Sequence, residues 1–173
     1  MRRAAFLDRD GTLIHDPGYL GDPSGVVLLD GVAEAIALLR SAGFLIVVIT
    51  NQSGVARGMY DESALHAVNQ RMRALLLEQN PYAAIDAIYY CLHKDADACD
   101  CRKPRPGMFE QAARELLLDL PSSLAIGDAP RDCAAAKEAG VGRSSQIGAP
   151  PLPPSLLAAT RLLLGQVPVK SPT

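Results

Sequence analysis

The run "FLIVVIT" at residues 44–50 constrains this fold more than any other stretch of the chain. Its six consecutive apolar residues do not alternate with polar ones, so a strand made from them must be buried on both faces. The run is also far shorter than the roughly 18 residues that a membrane span needs. A strand covered on both faces belongs inside a parallel sheet with helices packed above and below it.

The rest of the chain alternates as such a sheet requires. "RAAFLD" reads as a first buried strand. Asp30 is expected to N-cap a helix with Val32, Ala35, Ile36 and Leu39 at helical spacing, and Gly43 lies just beyond its end. After "FLIVVIT", a helix is expected from about Glu62 to Gln79, carrying Leu65, Val68, Met72, Leu75 and Leu76 on one face. "AIDAIYYC" reads as a third strand, and Pro106 as the start of a helix with Phe109, Ala112, Ala113 and Leu116 facing inward. "SLAIGD" follows as a fourth strand, "RDCAAAKEAG" as a helix stopped by Gly140, and "RSSQI" as a fifth strand. Four prolines between Gly148 and Ser155 make an extended connection to a short helix at 156–164, with a loose tail from Gly165. No internal repeat is visible. The order predicts an α/β protein with a three-layer, Rossmann-like, doubly wound parallel sheet, one domain over 1–164 and a tail over 165–173.

Three of these strands end in polar side chains: Asp8 and Asp10 after the first, Thr50 after the second, Asp128 after the fourth. In a parallel α/β sheet the carboxyl ends of the strands lie along one edge, where ligands bind. Carboxylates as close as Asp8 and Asp10 repel unless a cation lies between them or one holds a proton. With Asp128 they form an oxygen-only set suited to Mg²⁺, which takes a few carboxylates plus water and phosphate. Gly11 lets the chain turn sharply out of the strand. Thr50 offers a hydroxyl, "NQSG" after it offers backbone N–H groups to an anion, and Lys103 adds a mobile positive charge. Acids, a hydroxyl, a lysine and a metal are what phosphoryl transfer needs, because that chemistry consists largely of positioning and neutralising charge.

A second cluster lies in "CLHKDADACDCRKPRPGM". Cys91, His93, Cys99 and Cys101 form C-x-H-x5-C-x-C, which can close a tetrahedral zinc site with no open position, a brace rather than a reaction centre. Reduced, unliganded thiols are the alternative reading, and disulfides a weaker one in a reducing compartment. That compartment is expected because "MRRAAFLDRDG" turns acidic after four apolar residues, too soon for a signal peptide. A cytoplasmic protein follows. Its formal net charge of −2 argues against nucleic-acid or membrane-surface partners, although a local basic pocket for a small anion remains open. No apolar helix is left over, so a monomer is expected.

In order, "DRDGT", "TNQSG", "RKP" and "IGDAPRD" resemble the four motifs of the haloacid dehalogenase-like phosphatases, across residues 6–140. The resemblance implies that Asp8 is the nucleophile and forms an aspartyl-phosphate. Asp10 would be the acid that protonates the leaving oxygen and then the base that activates water. Thr50 and Lys103 would hold the phosphoryl oxygens. Asp8, the Asp10 main-chain carbonyl and Asp128 would hold Mg²⁺, with Asp132 as a supporting carboxylate. "NQSGVARG", "HDPGYL" and "CRKPRPGM" are similar to the D-glycero-D-manno-heptose 1,7-bisphosphate 7-phosphatases, which share the Cys/His cluster. That likeness implies a sugar-phosphate substrate on the way to ADP- or GDP-heptose, with contacts from Asp16, Pro17, Gly18, Tyr19, Asn51, Gln52, Ser53 and Arg102.

No insertion is long enough for a separate cap domain, so the loops at 15–29, 51–60 and 91–105 must wall the pocket. His15 and Arg57 are further candidates on those loops. Ala129 stands where some relatives carry a lysine, which leaves one substrate contact in question. Histidinol-phosphate phosphatase is the nearest rival. A polynucleotide 3′-phosphatase is disfavoured by the charge balance. A non-catalytic phospho-receiver is disfavoured by the intact D-x-D.

Overall fold

The computed structural model describes residues 1–165. The part of the expected tail from residue 166 onward lies outside them. Five parallel strands run in the order β3-β2-β1-β4-β5: β1 (Arg3–Leu7), β2 (Phe44–Asn51), β3 (Ala87–Cys91), β4 (Leu124–Gly127) and β5 (Arg143–Gln146). Helices α1 (Val32–Ser41), α2 (Glu62–Gln79), α3 (Gly107–Leu116) and α4 (Pro130–Glu138) make the crossovers, and α5 (Leu156–Leu163) follows β5.

The pleat sorts the core into two layers. Ala5 and Leu7 of β1 and Ile46 and Val48 of β2 pack with Ile36 and Leu39 of α1, Val68 and Met72 of α2, and Leu156 and Ala159 of α5. Their neighbours Ala4, Phe6, Val47 and Ile49 point the other way, onto Met108, Phe109 and Ala112 of α3 and Ala135 and Ala136 of α4. "FLIVVIT" is therefore apolar throughout because both faces of β2 meet helices. The three-layer α/β/α arrangement is the one read from the sequence, and no separate cap domain interrupts it. The order of winding reverses at the centre: β1, β2 and β3 step one way, β4 and β5 the other. The crevice at the carboxyl ends of β1 and β4 is thus the switch point where such sheets bind ligands.

Three boundaries depart from expectation. The residue before α1 is Gly31, at φ 73°, rather than Asp30. That left-handed turn suits glycine, and a Cβ there would lie only 3.1 Å from Leu157 of α5. Pro106 is the N-cap of α3 rather than its first helical residue. β3 begins at Ala87; just before it, Asp86 donates its N–H to the Ile46 carbonyl at 2.8 Å and accepts from the Ile46 N–H through its carboxylate at 2.7 Å. Among the described residues no helix is long and apolar enough to cross a membrane.

Candidate active site

The reaction edge begins where β1 stops. The Asp8 N–H still donates to the Ile126 carbonyl of β4 at 3.1 Å, and Gly11, at φ 78°, then turns the chain back. The turn also brings the chain close to Asp128: a Cβ on Gly11 would lie 2.5 Å from Asp128 Oδ2. Carboxylate oxygens of Asp8, Asp128 and Asp132 all lie within 4.8 Å of one another. Lys103 enters this group buried, its Nζ 2.7 Å from Asp8 Oδ1, 2.6 Å from Asp132 Oδ1 and 2.8 Å from the Ile49 carbonyl at the end of β2. Burial pushes the lysine's pKa down, but Asp8 and Asp132 outweigh it and hold the ammonium above the usual lysine range.

One ammonium does not balance three carboxylates. Burial, then the charges of Asp8 and Asp132, push Asp128 up to about 6, and its buried Oδ1 has no hydrogen-bond partner. An oxygen-only cluster with an orphaned acceptor and surplus negative charge fits a hard divalent cation. Asp132 also accepts from the Ala129 N–H at 2.9 Å, capping the first turn of α4.

Asp10 lies beside this group but faces elsewhere. Its carboxylate is held by Arg9, with Nε to Oδ1 and Nη2 to Oδ2 both at 3.0 Å, and by Gln52 Nε2 at 2.7 Å. That leaves its main-chain carbonyl for a metal. Thr50 is buried and accepts from Gln52 Nε2 at 2.9 Å.

Above these groups opens a cavity of about 330 Å³. Of the residues expected in it, Asp8, Asp10, Asp16, Gly18, Tyr19, Thr50, Asn51, Gln52, Ser53, Arg102 and Lys103 line it, whereas Pro17 does not. Two of these side chains turn inward to protein partners. Asn51 exchanges hydrogen bonds with the Lys103 backbone, Nδ2 to its carbonyl and Oδ1 from its N–H, both at 3.1 Å. Gln52 is 2% exposed and its amide is taken by Arg9, Tyr60, Asp10 and Thr50. Gly54 and Tyr60, from the 51–60 loop expected to wall the pocket, also line it, and one lining residue was not anticipated: Arg131. Arg131 sits exposed in the first turn of α4. Its proximity to "IGD" was the signal available. His15 is exposed and does not line the cavity, and Arg57 reaches only Ser53 Oγ, at 3.5 Å.

The Cys/His cluster stands beside the cavity on the loop from β3 to α3. The three sulfurs are 3.0 to 3.6 Å apart, and His93 Nδ1 lies 3.5 Å from Cys91 Sγ and 3.2 Å from Cys101 Sγ. A tetrahedron with Zn–S bonds of about 2.3 Å has edges of roughly 3.8 Å, so these four atoms form a slightly contracted cluster that could hold zinc. Burial pushes the Cys91 and Cys101 thiols up, whereas at Cys99 burial is outweighed by hydrogen bonds from the Arg102 backbone and the neighbouring thiols, which hold it below the usual thiol value. Arg102, next in sequence, is fixed by Asp95 and by the His93 carbonyl at 3.3 Å.

The sequence pattern of haloacid dehalogenase-like hydrolases matches residues 18–140. The D-glycero-beta-D-manno-heptose-1,7-bisphosphate 7-phosphatase of Photorhabdus laumondii subsp. laumondii is 42% identical over 146 residues, covering 80% of this chain and 77% of that protein. The enzyme of that name from Vibrio cholerae serotype O1 is 41% identical over 146 residues, with 80% and 77% covered. The structure of D,D-heptose 1,7-bisphosphate phosphatase from B. bronchiseptica complexed with magnesium and phosphate matches at a TM-score of 0.83 and 34% identity, over 95% of this chain and 99% of that one.

Proposed function

The chain belongs to the haloacid dehalogenase-like hydrolases, within the D-glycero-D-manno-heptose 1,7-bisphosphate 7-phosphatase family, and from that membership we propose that it removes the 7-phosphate of a heptose 1,7-bisphosphate. One observation carries this beyond family likeness. Asp8, Asp10 and the buried Lys103 form the floor of a cavity of about 330 Å³, with Asp128 and Asp132 clustered on Asp8 and Lys103, and the same cavity is lined by two more cations, Arg102 and Arg131. A single phosphate needs the floor alone; the rim guanidiniums suit a second anionic group on the same molecule.

In this reading Asp8 attacks phosphorus, the bond to the sugar oxygen breaks, and Asp10 supplies the proton that oxygen needs. Asp10 then takes a proton from the water that hydrolyses the aspartyl-phosphate. Lys103 and Thr50 hold the phosphoryl oxygens. Asp8, the Asp10 carbonyl and Asp128 would hold Mg²⁺, which when bound neutralises charge on the transferring group. Cys91, His93, Cys99 and Cys101 would hold structural Zn²⁺. Asp16, Gly18, Tyr19, Ser53 and Arg102 remain the proposed sugar-phosphate contacts. Asn51 and Gln52 serve the site through its framework.

The test is phosphate release, with Mg²⁺, from α- and β-heptose 1,7-bisphosphates, fructose 1,6-bisphosphate and histidinol phosphate. The heptose esters should have the highest kcat/KM. Preference for histidinol phosphate would move the chain to the neighbouring activity, and one-time labelling without turnover would make it a phospho-receiver. Asp8→Asn should lower kcat by at least about 10³-fold while the chain stays folded.

A further inference from the structure

We propose that Arg9, acting through Gln52, is a positioning residue that fixes which oxygen of Asp10 faces the substrate and where the Thr50 hydroxyl points. The proposal rests on the phosphatase reading above and deepens it. No described residue with a charged side chain is more deeply buried than Arg9, which is 0% exposed. A guanidinium there needs partners for its donors, and four of its five N–H groups have one. Besides the fork on Asp10, Nη1 donates to Asn69 Oδ1 at 2.9 Å and Nη2 to Gln52 Oε1 at 3.0 Å. Asn69 is the buried polar residue on the otherwise apolar inner face of α2, so the helix supplies an acceptor where the arginine needs one.

The orientation of Gln52 follows from the chemistry of its neighbours. Arginine can only donate, so the end of the amide that meets Arg9 must be the oxygen. Tyr60 O–H donates to the same oxygen at 2.6 Å. The Gln52 nitrogen therefore points the other way, and its two hydrogens go to Asp10 Oδ2 at 2.7 Å and Thr50 Oγ1 at 2.9 Å. Flipping the amide would set a nitrogen against the donor-only Arg9 guanidinium and an oxygen against a carboxylate.

Two consequences reach the reaction centre. Asp10 Oδ2 accepts from both Arg9 and Gln52, whereas Oδ1 accepts from Arg9 alone. Oδ1 is thus the oxygen with capacity left to exchange a proton with the leaving group, and the Asp10 side chain is 18% exposed, on the cavity side. Thr50 Oγ1 already accepts from Gln52, so its one hydrogen is free to be donated to a phosphoryl oxygen. A single buried cation, read through one amide, orders the proton carrier and a phosphate donor together.

A purely structural arginine would tie β1 to α2 and no more. The two roles separate by leaving group. A sugar alkoxide needs a proton to depart; 4-nitrophenolate does not. Arg9→Lys keeps a charge but cannot make the fork, and Gln52→Met keeps length and bulk but breaks the relay. In the zinc- and magnesium-loaded protein, each should lower kcat/KM on the sugar bisphosphate by about 10²-fold, and by at least about tenfold more than on 4-nitrophenyl phosphate. KM should change little beside kcat.

Equal losses on the two esters, or no loss, in variants that melt as the parent does would overturn the relay. Should Arg9→Lys fail to fold, Gln52→Met leaves the buried arginine in place and decides the matter alone. A parent chain that releases phosphate from neither ester overturns the phosphatase reading and the relay with it, whereas normal parent turnover with equal variant losses overturns the relay only.

Discussion

Arg131 shows where residue-level reading stops. From the sequence it is one charge in the first turn of a helix, and most such arginines are solvated. Placed by the fold, it lines the cavity with Arg102, near the position where Ala129 lacks a charged side chain. If the remote phosphate meets Arg131, Arg131→Ala should raise KM for the bisphosphate by about tenfold to a hundredfold, the loss of one charge-assisted hydrogen bond of about 1.5–3 kcal/mol. KM for a monophosphate ester should hardly move, and steady-state kinetics on the two substrates checks this. Asp8, Thr50, Lys103 and Asp128 were legible because they follow buried strands or a short motif, and a parallel sheet gathers strand ends at one edge. The inward turn of Asn51 and Gln52 was not legible. Which way an amide points depends on partners such as Arg9 and the Lys103 backbone, which only the tertiary fold brings within reach.

At the scale of elements, the loop from β3 to α3 does work that a regular helix or strand would otherwise do. It must deliver Lys103 into the floor of the site, yet its regular structure is a single 3-10 turn, Asp95–Asp97. Two ties hold it. The Cys/His cage closes the loop on itself, and the reciprocal hydrogen bonds between Asn51 and Lys103 fasten it to the end of β2. Cys99→Ser should therefore lower the bound zinc from about one equivalent, reduce Tm, and both cut kcat and raise KM, because the loop carries Lys103 at the floor of the cavity and Arg102 at its rim. Metal analysis, melting curves and kinetics on the same preparation check this; a zinc-free variant with parental Tm and kcat would remove the brace from the account. The cage was readable from the spacing of four residues. The Asn51 clamp was hidden, as was the start of β3 after Asp86, since both involve side-chain bonds to backbone groups that no periodicity records.

For the whole molecule, the switch point between β1 and β4 concentrates negative charge that the fold alone does not neutralise. Asp8, Asp128 and Asp132 share one lysine, and Asp128 is pushed up to about 6 by burial and by the other two charges. Because its ordinary value is 3.8, the folded metal-free chain holds this proton more tightly than the unfolded chain does. The group therefore favours folding in acid, and that advantage is lost as pH rises through the window from 3.8 to about 6. Above it, the site is an ionised cluster that only a cation relieves. Mg²⁺ must displace the proton to bind, so its stabilising effect should be small near about pH 5 and larger near about pH 7.5. Melting curves with and without Mg²⁺ at the two pH values check the sign. A Mg²⁺-induced rise in Tm that is equal at both would mean that Asp128 is not a ligand, or that its carboxyl is already ionised in the metal-free fold. Either result bears on architecture as well as on one residue. In a chain with no separate cap domain, a Mg²⁺ effect that grows with pH would mark a cation, rather than a covering domain, as what offsets the negative charge gathered at this edge of the sheet.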